Sequence, residues 1–223
     1  MKNINQKLQL VIFDMDGLMI DTEPVSKEGW RLALSHYGYE MTDEFFSQLL
    51  GRSLITAQNL TKSYFGDDAD FDAIYNKRCE YRDAHVEKYG ISIKKGLLQI
   101  LNIIDELGIK KCIATSTDRS GMDWKLKGLN LIERFDGFIT GDMVKEVKPN
   151  PEIFIKAAQF FGTDPSACIV IEDSPSGVAA GYAAGMKVIM VPDMAKPGDA
   201  DENHIYAICA DLEEVAEVIS RLA

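Results

Sequence analysis

Six short apolar runs rich in β-branched residues, at 8–13, 111–115, 137–140, 168–171, 187–191 and 206–210, recur along the chain, and segments with helical periodicity separate most of them. Few folds accommodate strand and helix alternating at this spacing. The pattern predicts an α/β, Rossmann-like core with a parallel sheet covered by helices on both faces. One intervening helix is marked at both ends. Asn150 can cap it, Pro151 suits its first position, Glu152 favours its N-terminal dipole, IFIKAAQFF supplies an apolar stripe and Gly162 can end it.

The stretch from about Pro24 to Gly90 breaks the alternation. It lacks strand-like runs and carries helical patterns such as DEFFSQLL and FDAIYNKRCEYRDAHVEKYG. An all-α insertion between the first and second strands is expected here. The chain then divides into a discontinuous α/β core, residues 1–22 and 91–223, and a helical cap, residues 23–90. A length of 223 residues suits a domain carrying an insertion of that size.

Charge and cysteine usage narrow the partners. With 24 Lys plus Arg against 35 Asp plus Glu, the formal net charge of −11 argues against nucleic acid or an anionic membrane. An anionic substrate would need local cations to overcome that field. Cys79, Cys112, Cys168 and Cys209 show no CxxC pairing, and Cys112 and Cys168 lie in apolar runs where a reduced thiol acts as a small hydrophobe. The opening MKNINQKLQLVIFDMDG meets Asp14 and Asp16 before a signal-peptide core can form, and no uncharged stretch is long enough to span a bilayer. A cytoplasmic protein is expected.

Open α/β sheets bind ligands beyond the carboxyl ends of their strands. Asp14-Met15-Asp16 follows the first predicted strand, Thr115-Ser116 the second and Glu172-Asp173 the fourth, while Lys148 precedes the helix that Asn150 can cap. Carboxylates as close as Asp14 and Asp16 repel unless a proton or a cation relieves them. Hard oxygens without nearby His or Cys suit Mg²⁺. An ionised Asp is also a nucleophile toward phosphorus, and a second acid can protonate a leaving alkoxide and then deprotonate water. Mg²⁺ and Lys148 can neutralise a transferring phosphoryl group, while the Thr115 hydroxyl and backbone N–H groups near Gly17 can orient it. Taken singly, DxD also fits a surface turn or an unrelated metal site, Lys148 a solvated charge and Thr115 a strand end.

Taken in order, DMDGLMIDTE, ATSTD, VKPNPEIF and IEDSPSGVAAGYAAG resemble the four motifs of the haloacid dehalogenase-like superfamily, in its β-phosphoglucomutase-like branch with a helical cap after the first strand. The resemblance spans nearly the whole chain. It implies that Asp14 is the nucleophile, Asp16 the acid/base, Thr115 a phosphate-binding hydroxyl with Ser116 beside it at the substrate, and Lys148 the phosphate clamp. It implies Mg²⁺ held by Asp14, the Asp16 carbonyl and Asp173, with Glu172 touching the ion or ordering its waters. Some relatives displace halide from carbon without Mg²⁺, but the DxD and ED pairs here look like the phosphate-active members.

In the cap, Gly51-Arg52-Ser53 resembles the substrate loop of sugar-phosphate members, with Arg52 as an additional anion contact. Trp30 matches an aromatic that relatives keep near the sugar, and Lys77 with Tyr81 resembles the family's cap Lys-x-x-x-Tyr. Each also fits a packing or surface role. Lys125 and Lys127 fall outside the motifs and receive no role. Gly177, Gly181 and Gly185, spaced by four, are read as a helix approaching the sheet closely.

One position departs from the mutases of this branch. They carry a histidine twelve residues after the nucleophile that couples closure to acid/base readiness, and here that position is Ser26. Its loss favours hydrolysis. The expectation is therefore a Mg²⁺-dependent phosphatase of small phosphorylated metabolites, sugar phosphates foremost, with a sugar-phosphate mutase as the alternative. A phospho-acceptor signalling domain, the reading from another class, would lack the cap and have no use for Asp16.

Overall fold

In the computed structural model, which describes residues 7–49, 54–193 and 200–223, the LVIF run forms β1 (Leu10–Phe13) with every side chain buried, as a central strand covered on both faces requires. The remaining strands are β2 (Lys110–Ala114), β3 (Gly137–Ile139), β4 (Cys168–Glu172), β5 (Lys187–Met190) and β6 (Ala207–Ile208). Each of the six apolar runs thus yields a strand. All pairings are parallel, in the order β3-β2-β1-β4-β5-β6. Strands 2 and 3 build outward from one side of β1 and strands 4 to 6 from the other, so the connection changes direction at β1 and β4. A crevice opens at such a switch point, beyond the carboxyl ends. Register decides what faces it: Phe13 lies beside Ile113 and Ile171, which brings Asp14 out level with Ala114 and Glu172.

The helices of this unit are α5 (Leu97–Glu106), α6 (Arg119–Leu126), α7 (Glu152–Phe161), α8 (Pro175–Ala183) and α9 (Leu212–Leu222). α7 buries Ile153, Phe154, Ala157 and Ala158 in one cluster with Leu10, Ile12, Val170 and Val188. Each large side chain so buried contributes about 1.5–3 kcal/mol. The helix starts one residue later than an Asn150 cap implies, with Pro151 at the cap position, yet Asn150 Oδ1 still accepts from the Glu152 N–H at 3.0 Å. Gly162 ends it in the left-handed conformation, φ 62°. α9 buries Leu212, Val215, Ala216 and Ile219 at helical spacing, and Asp211 caps it by accepting from the N–H groups of Glu213 and Glu214. In α8, Gly181 faces Val188 and Val170, where a Cβ would come within 2.7 Å of Val188 Cγ2, and Gly177 faces Glu172. Gly185 differs from the expectation: it lies beyond α8 with φ +76°, turning the chain toward β5 instead of admitting the sheet.

A second unit, Thr22–Ile91, is separate in its packing from the first, which comprises the described residues up to Asp21 and from Ser92 onward. Its described helices are α1 (Glu23–His36), α2 (Asp43–Leu49), α3 (Leu54–Phe65) and α4 (Phe71–Tyr89). They enclose their own apolar cluster, which includes Trp30, Leu34, Phe45, Phe46, Phe71 and Ile74. Asp70 caps α4 by accepting from Ala73 N–H, and Gly90 follows its end. The two segments that leave and rejoin the sheet-bearing unit pair with each other: Ile20 bridges Ile93, Asp21 N–H donates to Ser92 O at 2.8 Å and Lys94 N–H to Met19 O at 2.9 Å. Among the described residues no helix is long and apolar enough to cross a membrane.

Candidate active site

Where β1 ends, Asp14 keeps the sheet pattern for one more residue by donating its N–H to Ile171 O at 3.0 Å, and this plants its side chain beside the end of β4. Lys148 enters from the loop before α7. Its Nζ donates to Asp14 Oδ1 at 2.5 Å, to Glu172 Oε1 at 2.6 Å and to Ala114 O at 3.2 Å, and it lies 5.0 Å from the centre of the Phe154 ring. Glu172 is fully buried. Its other oxygen accepts from Asp173 N–H, Ser174 N–H and the Ser174 hydroxyl at 3.0 to 3.1 Å, so the start of α8 is tied to the same carboxylate that pairs with Lys148.

The charges do not balance. Burial raises the Asp14 carboxyl to about 7; Lys148 opposes the shift and Glu172 adds to it. Burial, then the Glu172 and Asp14 charges, push Asp173 up to about 10. Burial works against the Lys148 ammonium, but Asp14 and Glu172 together outweigh it and hold its pKa above the ordinary lysine value. Carboxylate oxygens of Asp14, Glu172 and Asp173 lie within 4.8 Å of one another. Three acids around one ammonium, offering only oxygen, fit a hard divalent cation. Gly17, at φ +85°, lets the backbone close on this cluster, since a Cβ there would stand 2.4 Å from Asp173 Oδ2.

The Asp16 carboxylate takes part in a different set of contacts. Thr117 Oγ1 donates to its Oδ2 at 2.8 Å, and Lys125 Nζ reaches Oδ1 and Oδ2 at 2.7 and 2.8 Å and Thr117 Oγ1 at 3.0 Å. Lys125, left without a role by the motifs, therefore belongs to this site. A signal for it exists: Asp118 caps α6 by accepting from Gly121 N–H at 2.7 Å, and Lys125 lies two turns on, on the same face. Helical side chains lean back toward the N-terminus, here toward the strand ends. Thr115 is buried after β2, and its Oγ1 accepts from Thr117 N–H at 3.1 Å. Ser116 follows it, exposed, with its carbonyl against Gly141, where a Cβ would come within 2.1 Å.

Of the residues expected in the cap, Trp30 is 5% exposed and packs among Phe45, Phe71 and Tyr75. Lys77 pairs with Glu80 at 2.6 Å and stands over the Tyr81 ring. Gly51, Arg52 and Ser53 lie outside the described residues. Ser26, at the position where the mutases carry histidine, accepts from Arg78 Nη2 at 2.9 Å.

Residues 11–191 match the haloacid dehalogenase-like hydrolase family. The chain is 30% identical over 189 residues to the phosphorylated carbohydrates phosphatase of Thermotoga maritima, covering 82% of this chain and 84% of that one. It is 31% identical over 208 residues to hexitol phosphatase A of Escherichia coli, covering 92% and 91%. A crystal structure from Thermotoga maritima, provisionally named a beta-phosphoglucomutase, superposes with a TM-score of 0.82 at 27% identity, over 97% of this chain and all of that one. With four motifs in order, a matching sheet and a family match that runs from β1 past β5, this chain belongs to the haloacid dehalogenase-like hydrolases.

Proposed function

We propose that this chain is a Mg²⁺-dependent, cytoplasmic phosphatase of small phosphorylated metabolites, sugar phosphates foremost, working through a phospho-Asp14 intermediate. The observation that carries the reading is the meeting of Asp14, Lys148, Glu172 and Asp173 at the switch point of the sheet. The phosphatase names of the relatives that align over most of this chain support it.

Asp14, Asp173 and the Asp16 carbonyl would hold Mg²⁺, with Glu172 at its edge; the ion would supply charge neutralisation to the phosphoryl oxygens. The remaining chemistry falls to side chains. Asp14 attacks phosphorus while Asp16 protonates the departing oxygen; Asp16 then takes a proton from the water that attacks phospho-Asp14. Lys148, Thr115 and Ser116 bind the phosphoryl oxygens and keep the displacement in line. The Ser26 hydroxyl, engaged by Arg78, cannot replace the histidine of the mutases as an acid/base switch, which supports hydrolysis over isomerisation.

The test is phosphorus NMR of the enzyme with Mg²⁺ and a panel containing β-glucose 1-phosphate, glucose 6-phosphate, fructose 1-phosphate, polyol phosphates and nucleotide monophosphates, with Asp14→Asn as the blank. Inorganic phosphate from some members, and none from the blank, is the expected result. Glucose 6-phosphate formed from β-glucose 1-phosphate without free phosphate would make the chain a mutase. No change in any ester would remove the enzymatic reading.

A further inference from the structure

We propose that Lys125 is a positioning residue for Asp16, holding in place the group that hands its proton to the departing oxygen. The inference rests on the phosphatase reading and adds a residue to it. An Asp side chain has two rotatable bonds, and a general acid must keep its O–H aimed at one atom. Lys125 restrains it through both oxygens, at 2.7 and 2.8 Å, and Thr117 through one, while the 3.0 Å contact between Lys125 and Thr117 closes a three-membered ring of hydrogen bonds. Side-chain exposures of 20% for Lys125 and 31% for Asp16 place the pair at the wall of the crevice, partly shielded from water.

The proton count explains why a cation serves an acid here. As the bond from an Asp14 oxygen to phosphorus forms and the ester P–O bond breaks, the electron pair left on the ester oxygen takes the proton of Asp16. Asp16 is left as a carboxylate, the form that two N–H donors of an ammonium bind best. The Lys125 contact therefore strengthens as the proton leaves, which places its benefit in the transition state. The same contact also holds the carboxylate where the attacking water will need it for the second step.

The leaving group provides the test. 2,4-Dinitrophenolate departs without a proton, whereas a sugar alkoxide needs one. Values of kcat/KM, which report the first displacement, are compared for 2,4-dinitrophenyl phosphate and for whichever of glucose 1-phosphate, glucose 6-phosphate and fructose 1-phosphate the wild type hydrolyses fastest. Lys125→Met is expected to lower the sugar-phosphate value by about a hundredfold, at the lower end of what general acid catalysis contributes, with the aryl ester little changed and Lys125→Arg recovering most of the loss. Equal losses on both esters would mean a merely structural role. An unchanged sugar-phosphate reaction would mean that Asp16 needs nothing from Lys125, and a faster one that Lys125 holds Asp16 back; each of these results overturns the proposal. If Lys125→Met fails to fold by circular dichroism, Thr117→Val carries the same comparison. A wild type that releases phosphate from none of the three sugar phosphates would instead defeat the phosphatase reading itself.

Discussion

A Cβ built on Gly177 would fall 1.8 Å from the carboxylate carbon of Glu172, so α8 and the end of β4 meet across a gap that only glycine leaves open. Glu172 in turn orients Lys148, and Lys148 Asp14. Gly177→Ala must push Glu172 off both sets of partners. Overpacking of this kind costs about 1–3 kcal/mol, to be read by urea denaturation, and turnover is expected to fall at least tenfold because Lys148 loses its anchor. A variant with wild-type stability and turnover would show that Glu172 yields without consequence.

Adding Mg²⁺ should raise the melting temperature, because a cation bound only by the folded state takes the place of the protons that burial and mutual repulsion force onto Asp14 and Asp173. At tenfold excess over its Kd the ion adds about 1.4 kcal/mol, roughly 3–6 °C for a chain of this size. In the proposed site Asp173→Asn exchanges a carboxylate oxygen for an amide nitrogen and removes a group that the fold forces to take up a proton, so its melting temperature without metal should equal or exceed the wild type's and should respond little to Mg²⁺. A full Mg²⁺ response in Asp173→Asn would place the ion elsewhere.

Glu152 provides a pH test away from that cluster. A hydrogen bond from Lys156, then the N–H of Glu146, hold its carboxyl well down, at about 2, with the N–H of Lys145 as a third donor; partial burial opposes them. A folded pKa below the unfolded one stabilises above the unfolded value, near 4.5, and that contribution disappears as pH falls toward 2. Glu152→Gln should therefore melt below the wild type at pH 6, and the gap should narrow between pH 4.5 and the lowest pH at which both proteins fold. Melting curves that stay equally far apart across that range would rule the linkage out.

Thiol labelling reads the core directly. Burial pushes the Cys112 and Cys168 thiols to about 12 and Cys209 to about 11, while Cys79 is half-buried on α4. The thiolate fraction of the first two at pH 8 is then about a thousandfold below that of an ordinary cysteine. Iodoacetamide on the native protein should add one label, at Cys79, by intact mass. Fast labelling of Cys112 or Cys168 would show the sheet opening on that timescale.

Strands were readable from sequence because each is a short β-branched run, and the residues directly after a strand inherit its position. Asp14, Thr115, Glu172 and Asp173 are thereby placed at one end of a sheet by the sequence pattern alone. Lys148 was readable through the Pro and Asn beside it, which mark a helix start. Lys125 was not assigned by any motif, because it meets Asp16 across 109 residues; the sole sign of it was its place two turns on from the Asp118 cap, on the same face of α6. The orientation of Trp30 was hidden as well. An aromatic residue on an amphipathic helix reads alike whether it faces its own unit's core or a ligand, and here it faces Phe45 and Phe71. Gly185 shows the limit of spacing arguments: it falls in step with Gly177 and Gly181, yet its duty is a positive φ beyond the helix.

The chain leaves the sheet-bearing unit at Asp21 and re-enters it at Ser92, and these two residues are joined by a single backbone hydrogen bond. From the standpoint of β1 and β2, everything strung between them is equivalent to a hairpin turn, since neither its length nor its content alters where the two ends stand. Descendants of such a chain can lengthen, replace or remodel that hanging segment by ordinary mutation while strand register and the acids beyond it stay fixed. The two units of such a chain are thereby free to evolve at different rates.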